Sequence, residues 1–209
     1  MYDDYRLTNN YESFGNISEK KQLLMNEIKS YHPRAKDIHK IVSKNDSKYK
    51  SKFIAVYCNR CAYCGTSIRI NTKSQFEIDH FIPKTSKRFK NETDAGFIEN
   101  LVLACQTCNH NKSDFELSDD FRERLNPDFE EIKKIYYRDG LFYIRVSQDT
   151  HQEAIDFYNK LELGRETCRI DFLLLSMMEL RDKIVNDHSF CCKLNELIDI
   201  LYYKRNIMV

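Results

Sequence analysis

The sequence has little of what makes a chain loose. Its 209 residues include five glycines and three prolines, too few for long flexible linkers. No tract is low in complexity, and no segment repeats. The start, Met1-Tyr-Asp-Asp-Tyr-Arg, lacks the apolar run of a secretory leader. The longest apolar runs, such as Phe53 to Cys58 and Phe172 to Leu175, fall far below the ~18 residues that a membrane span needs. The expectation is a cytoplasmic chain without a membrane partner. What is present is ordinary for a folded domain: 42% hydrophobic and 12% aromatic residues, enough for one good core or one core with a helical appendage.

Eight cysteines stand out. Cytoplasmic thiols stay reduced, so CxxC pairs there read as metal ligands rather than disulfides. Cys61-Ala-Tyr-Cys64 and Cys105-Gln-Thr-Cys108 supply the four thiolates that a tetrahedral Zn²⁺ takes. Such a site is closed, so its zinc is structural. Cys58 and Cys61 form a competing pair, but Gly65 follows Cys64 and can relieve the tight knuckle turn. Cys168, Cys191 and Cys192 lack partner spacing and read as buried thiols.

A knuckle needs only its cysteines, yet this one encloses polar residues: Glu77-Ile-Asp79-His80-Phe-Ile-Pro83, then Asn100-Leu-Val-Leu, then Asn109-His110-Asn111-Lys112 after the last Cys. Phe76 to His80 alternates and predicts a short strand; Leu101 to Ala104 predicts a second; Thr107 to Ser113 predicts a helix. Strand, loop, strand and helix thus surround one site. A helix is predicted from an N-cap at Ser18 to His32-Pro33, another over roughly 46–57, and a third over Arg34 to Lys44. Arg138-Asp139-Gly140 between β-rich arms, in Ile132 to Val146, predicts a hairpin. Ile170, Leu173, Leu174, Met177 and Ile184, then Phe190, Leu194, Leu197, Ile198 and Leu201, keep helical spacing and predict core-facing or partner-facing stripes.

The net charge of +1 hides an asymmetry. Residues 34–90 hold 14 Lys+Arg against Asp37, Asp46, Glu77 and Asp79. That makes +10 there and −9 in the rest, the footprint of a polyanion binder. Lys48, Lys50, Lys52, Lys84, Lys87, Arg88 and Lys112 are the candidate nucleic-acid contacts.

Taken together, CxYCG at 61–65, DHxxP at 79–83, Asn-Leu-Val-Leu at 100–103 and CxxCNxxK at 105–112 resemble the HNH endonucleases, the ββα-metal nucleases, in the subclass with a four-cysteine zinc site. The likeness covers about residues 58–115. It implies an α+β fold: a ββα-metal core with structural zinc over 58–116, an N-terminal helical, basic segment over 1–57, and a β-hairpin with a helical region over 117–209. It implies hydrolysis of DNA that leaves 5′ phosphate and 3′ hydroxyl. The chemistry of the residues agrees. His80 is the natural general base. Asp79, its neighbour on a strand, faces the other way and can hold a cation without competing. By resemblance Asn109 is the second ligand, where many relatives have His, and Asn100 steadies the loop and orients the His80 ring. A carboxylate and an amide oxygen favour Mg²⁺ or Mn²⁺. His110 is the alternative to Asn109, and Glu77 is either an accessory ligand or a structural acid. Lys112 is either a phosphate contact or a solvated helix-end lysine.

The tail is similar to the HNH subunits of Septu-type and retron-associated anti-phage systems, on its Asp139-Gly140 hairpin and the Leu161-Glu-Leu163-Gly164-Arg165 turn into long helices. That implies defence or restriction, with an ATPase partner on the C-terminal helices. Two readings compete: a zinc-stabilised nucleic-acid-binding adaptor without catalysis, and an RNA-cleaving toxin.

Overall fold

The computed structural model describes residues 3–9, 13–45, 47–148, 150–184 and 186–208. Residue 46, the predicted start of the second helix, lies outside them.

The first helix, α1 (Ile17–Tyr31), starts one residue before its expected cap. Asn16, not Ser18, takes that role: its side chain accepts from the Glu19 N–H at 3.0 Å, satisfying one of the free amides of the first turn. The helix stops before Pro33 and turns Leu24 and Ile28 inward. The stretch predicted helical over Arg34 to Lys44 is helical only at α2 (His39–Val42). Then α3 (Lys48–Val56) follows, capped by Ser47 and burying Tyr49, Phe53 and Val56.

Two strands come next. β1 (Phe76–His80) pairs antiparallel with β2 (Leu101–Cys105), with Asp79 opposite Val102 and His80 opposite Leu101. All of β2 is buried, as expected of a strand covered on both faces. α4 (Gln106–Lys112) leaves β2 without a linker, and α5 (Asp119–Leu125) follows.

The predicted hairpin is shorter than its pattern suggested. Ile132–Ile135 is one helical turn, α6, and only β3 (Tyr136–Arg138) and β4 (Ile144–Val146) pair. The turn spans 139–143 and is shaped by Asp139, whose Oδ1 accepts from the Leu141 and Tyr143 amides. Phe142, not Gly140, takes the positive φ, +67°. Local side-chain bonding at Asp139 therefore displaced the two-residue Asp-Gly turn.

The tail is helical as expected: α7 (Gln152–Lys160), α8 (Glu166–Lys183) and α9 (His188–Asn206). α8 and α9 pack on each other, with Ile170, Leu174 and Ile198 in one apolar cluster. The α9 stripe is only partly core. Leu194 and Ile198 are buried, but Phe190 and Leu197 are exposed. A residue ~100° round the helix from its seam misses the neighbouring helix. For the same reason the three unpaired thiols divide. Cys168 of α8 is buried as expected, whereas Cys191 of α9 is half-buried and Cys192 is exposed.

One apolar cluster runs from Tyr5 and Leu7 through the two strands to Leu163 and Cys168. The three sequence segments thus share a core. No helix among the described residues is long and apolar enough to cross a membrane.

Candidate functional site

The first knuckle is a tight loop closed on itself. Cys61 N donates to Thr66 O at 2.8 Å, Gly65 N donates to Cys61 O at 3.0 Å, and Ala62 N reaches across to Leu103 O of β2 at 2.7 Å. Gly65 sits at φ +80°, and a Cβ there would collide with the Arg6 carbonyl. Glycine is needed here both for its backbone angle and for the N-terminal strap that crosses it. The strap is fastened by the Tyr5 hydroxyl to Tyr63 O (2.9 Å) and by Arg6 to Ala62 O (3.0 Å) and Pro127 O (2.6 Å).

The second knuckle lies where β2 becomes α4. Folding brings Cys61, Cys64, Cys105 and Cys108 together, all buried, with their Sγ atoms within 4.8 Å of one another. Cys64 and Cys105 Sγ are 3.8 Å apart. A tetrahedral zinc with bonds of about 2.3 Å needs sulfur–sulfur edges of about 3.8 Å. The set therefore fits a four-thiolate zinc, and Cys58 is outside it. Arg165, at the start of α8, donates to Cys108 Sγ at 3.5 Å and sets a positive charge against the thiolates.

On the same scaffold a polar cavity of ≈ 380 Å³ opens. Asp79, His80 and Asn109 line it together, with Asp37, His39, Lys84 and Glu92 among its walls. An adjoining opening is bounded by Asp79, His80, Asn109, His110 and Asp114. Residues far apart in sequence reach one space because β2 returns beside β1 and α4 begins at once.

Residues 61–115 match the family model described as HNH endonuclease. The chain carries an HNH endonuclease domain. No curated protein and no solved structure matches the chain. The family match covers the nuclease domain alone, and the tail's likeness to anti-phage subunits gains no support from it.

Within the HNH domain, Asp79 is held from the protein side. Its carboxylate is buried, the residue 7% exposed. Lys112 Nζ lies 3.2 Å from Oδ1 and 3.1 Å from Oδ2, and also donates to His80 O at 2.8 Å. The Tyr63 hydroxyl donates to Oδ2 at 2.6 Å. Burial pushes the Asp79 carboxyl above the usual range, against the pull of Lys112 and Tyr63. At His80, burial pushes the imidazole down to about 4; His39 adds to the fall and Asp37 opposes it. His80 is therefore neutral at pH 7.

Asn100 is buried. Its Oδ1 accepts from Ile82 N (2.8 Å), and its Nδ2 donates to Ile82 O (3.0 Å) and Ala95 O (2.9 Å). These bonds tie down both ends of the β1–β2 loop. Among the described residues, no hydrogen bond from Asn100 reaches the His80 ring. Asn109 donates to Glu77 Oε2 at 2.5 Å, and the exposed His110 lies 3.7 Å from the same oxygen.

The basic residues divide. Lys112 is buried on Asp79, and Lys50 is buried with its ammonium on Asn45 at 2.9 Å. Neither side chain is displayed on the surface. That corrects the surface role expected of both, because their stems are packed and their heads are taken. Lys48 and Lys52 pair with Glu27. Arg88 pairs with Glu116 and Asp119, and Lys84 with Glu92. Lys87 is exposed. Much of the positive charge of residues 34–90 is thus met by acids, most of them from elsewhere in the chain.

Three contributions to the site were not read from the sequence: His39, the Tyr63 hydroxyl on Asp79 and the burial of Lys112. Tyr63 had a signal, standing inside the CxYC knuckle. His39 belongs to no motif, and only folding sets it beside His80.

Proposed function

We propose that the chain is a metal-dependent endonuclease that hydrolyses DNA, with His80 as general base. One observation carries this reading: Asp79, His80 and Asn109 line a single cavity, where burial lowers the His80 imidazole and favours its neutral form. A neutral imidazole can take a proton from water. Asp79 and Asn109 offer a carboxylate and an amide oxygen with no sulfur between them, a donor set that fits Mg²⁺ or Mn²⁺. Such a cation, when bound there, would neutralise charge on the scissile phosphate and its leaving oxygen.

The chain's own residues do the rest. His80 removes the water proton as the water oxygen bonds to phosphorus. The bond to the 3′ oxygen breaks in line, and that oxygen takes up a proton from solvent, leaving 5′ phosphate and 3′ hydroxyl. Lys112 and Tyr63 fix the Asp79 carboxylate from behind the cavity. Lys84 stands on the cavity wall where a phosphate would arrive. Asn100 keeps the β1–β2 loop closed beneath it. The clustered thiols, none in a disulfide among the described residues, suit a reducing compartment such as the cytoplasm.

The test is incubation with supercoiled plasmid, single-stranded DNA and total RNA, each with Mg²⁺, Mn²⁺ or EDTA. Nicking or linearisation of plasmid that needs the cation and vanishes in His80→Ala is expected. Cleavage of RNA alone would favour the toxin reading. DNA retention without cleavage under every condition would favour the adaptor.

A further inference from the structure

One short segment reaches the cavity from outside the matched residues 61–115: Asp37, His39 and Lys40. Its main chain is docked on the β1–β2 loop. Ile38 N donates to Gly96 O at 2.8 Å and His39 N to the same oxygen at 3.3 Å. The contact is close: a Cβ on Gly96 would meet the Asp37 carboxylate, which would have to shift. Ile38 is buried and anchors the segment.

The His39 ring is fastened as well. Its Nε2 lies 2.9 Å from Ile78 O of β1. A carbonyl oxygen only accepts, so Nε2 carries the hydrogen and the tautomer is set. Thus held, the ring lies against His80, with centroids 4.2 Å apart and planes tilted by 37°. Among the described residues no hydrogen bond fixes the His80 ring. The tilted His39 ring packs against it, and that neighbour is itself fixed at the backbone and at the ring.

We propose that His39 is a positioning residue: its ring holds the His80 imidazole in the orientation in which it lines the cavity. A general base works only when its proton-accepting nitrogen points at the water, and loss of a group that orients a catalytic ligand or base costs about 10–100-fold. The segment 37–40 therefore belongs to the working site although it precedes the first knuckle by 21 residues or more.

The rate arm of the test rests on the nuclease reading; the spectroscopic arm does not. His39→Ala removes the ring, and His39→Phe keeps a ring without the bond to Ile78. In single-turnover plasmid cleavage, His39→Ala should slow the step about 10–100-fold with DNA affinity unchanged, while His39→Phe recovers a large part of the loss. A wild-type rate in His39→Ala, or no recovery in a folded His39→Phe, overturns the proposal. In the full chain without DNA, the His80 ring resonances should move in His39→Ala while the backbone amides of β1 and β2 stay in place. Unmoved His80 resonances overturn it. If His39→Ala does not fold, the rate and His80 resonances of His39→Phe decide. If the wild type cuts no nucleic acid, the nuclease reading falls and the resonances still decide the role of His39.

Discussion

In β2 all five residues are buried, whereas in the nineteen residues of α9 only Leu194 and Ile198 are. The two regions are held by different forces. Around β1, β2 and α4 the chain closes on four thiol groups and a buried ion pair, set within the main apolar cluster. The α8–α9 hairpin has one apolar seam and leaves Leu197, Ile200, Tyr203 and Ile207 exposed. Charge joins it to the core. Glu179 of α8 accepts from Arg60 and Thr8, and Asp171 of α8 accepts from Thr66. The polar cavity sits on the buried region, between β1 and the start of α4. The tail can tolerate change at most of its surface.

That contrast can be broken at its strongest point first. Cys105→Ser, or zinc removal by a chelator, should abolish the cooperative thermal transition of the core and all cleavage, since zinc binding in small four-ligand sites is worth about 10–16 kcal/mol. Metal analysis should find one zinc per chain before treatment; an unchanged melting temperature after its removal would erase the distinction. Next comes the pair behind the cavity. Lys112→Met leaves Asp79 buried without its counter-charge and should cost about 3–5 kcal/mol in urea unfolding. A loss below about 1 kcal/mol would mean that solvent reaches the carboxylate. Glu179→Gln tests the joint between the regions. It weakens charge-assisted bonds to Arg60 and Thr8 and should cost about 1.5–3 kcal/mol, with zinc content unaltered.

A pH dependence sharpens the same comparison at the strap over the first knuckle. Burial raises the Asp4 carboxyl, but Arg6, by charge and two kinds of hydrogen bond, brings it below its ordinary 3.8. A carboxyl lowered by folding stabilises the protein above its unfolded value, and that part is lost as pH falls through the folded one. Below about pH 3.8, wild type should therefore lose stability more steeply than Asp4→Asn; parallel acid limbs would show that the Asp4–Arg6 pair adds nothing to the strap. The smallest effect belongs to α9: Leu197→Ser and Ile200→Ser should each stay within about 0.5 kcal/mol of wild type.

Much of this was legible in the chain, for a local reason. CxxC spacing sets two thiols on one turn, and alternation in Phe76 to His80 marks the strand that carries Asp79 and His80. Those are properties of a few consecutive residues. The limits of α1 depended on whether Asn16 or Ser18 bonded a free amide, and the hairpin on Asp139 rather than Gly140, choices between neighbours of nearly equal propensity. The basic stretch shows a different limit. A charge count along residues 34–90 cannot see Glu27, Glu116 or Asp119 folding back onto it.

By itself the sequence determined which four cysteines gather, the strand–strand–helix order and the candidate base with its neighbouring carboxylate. Spacing along a backbone of known pitch is enough for those. Only the tertiary structure decided that Lys112 faces inward to Asp79, that Lys50 is buried, and that His39 lies against His80. These are contacts between segments whose separation in sequence carries no period, so they exist only once burial of the shared core has brought the segments together.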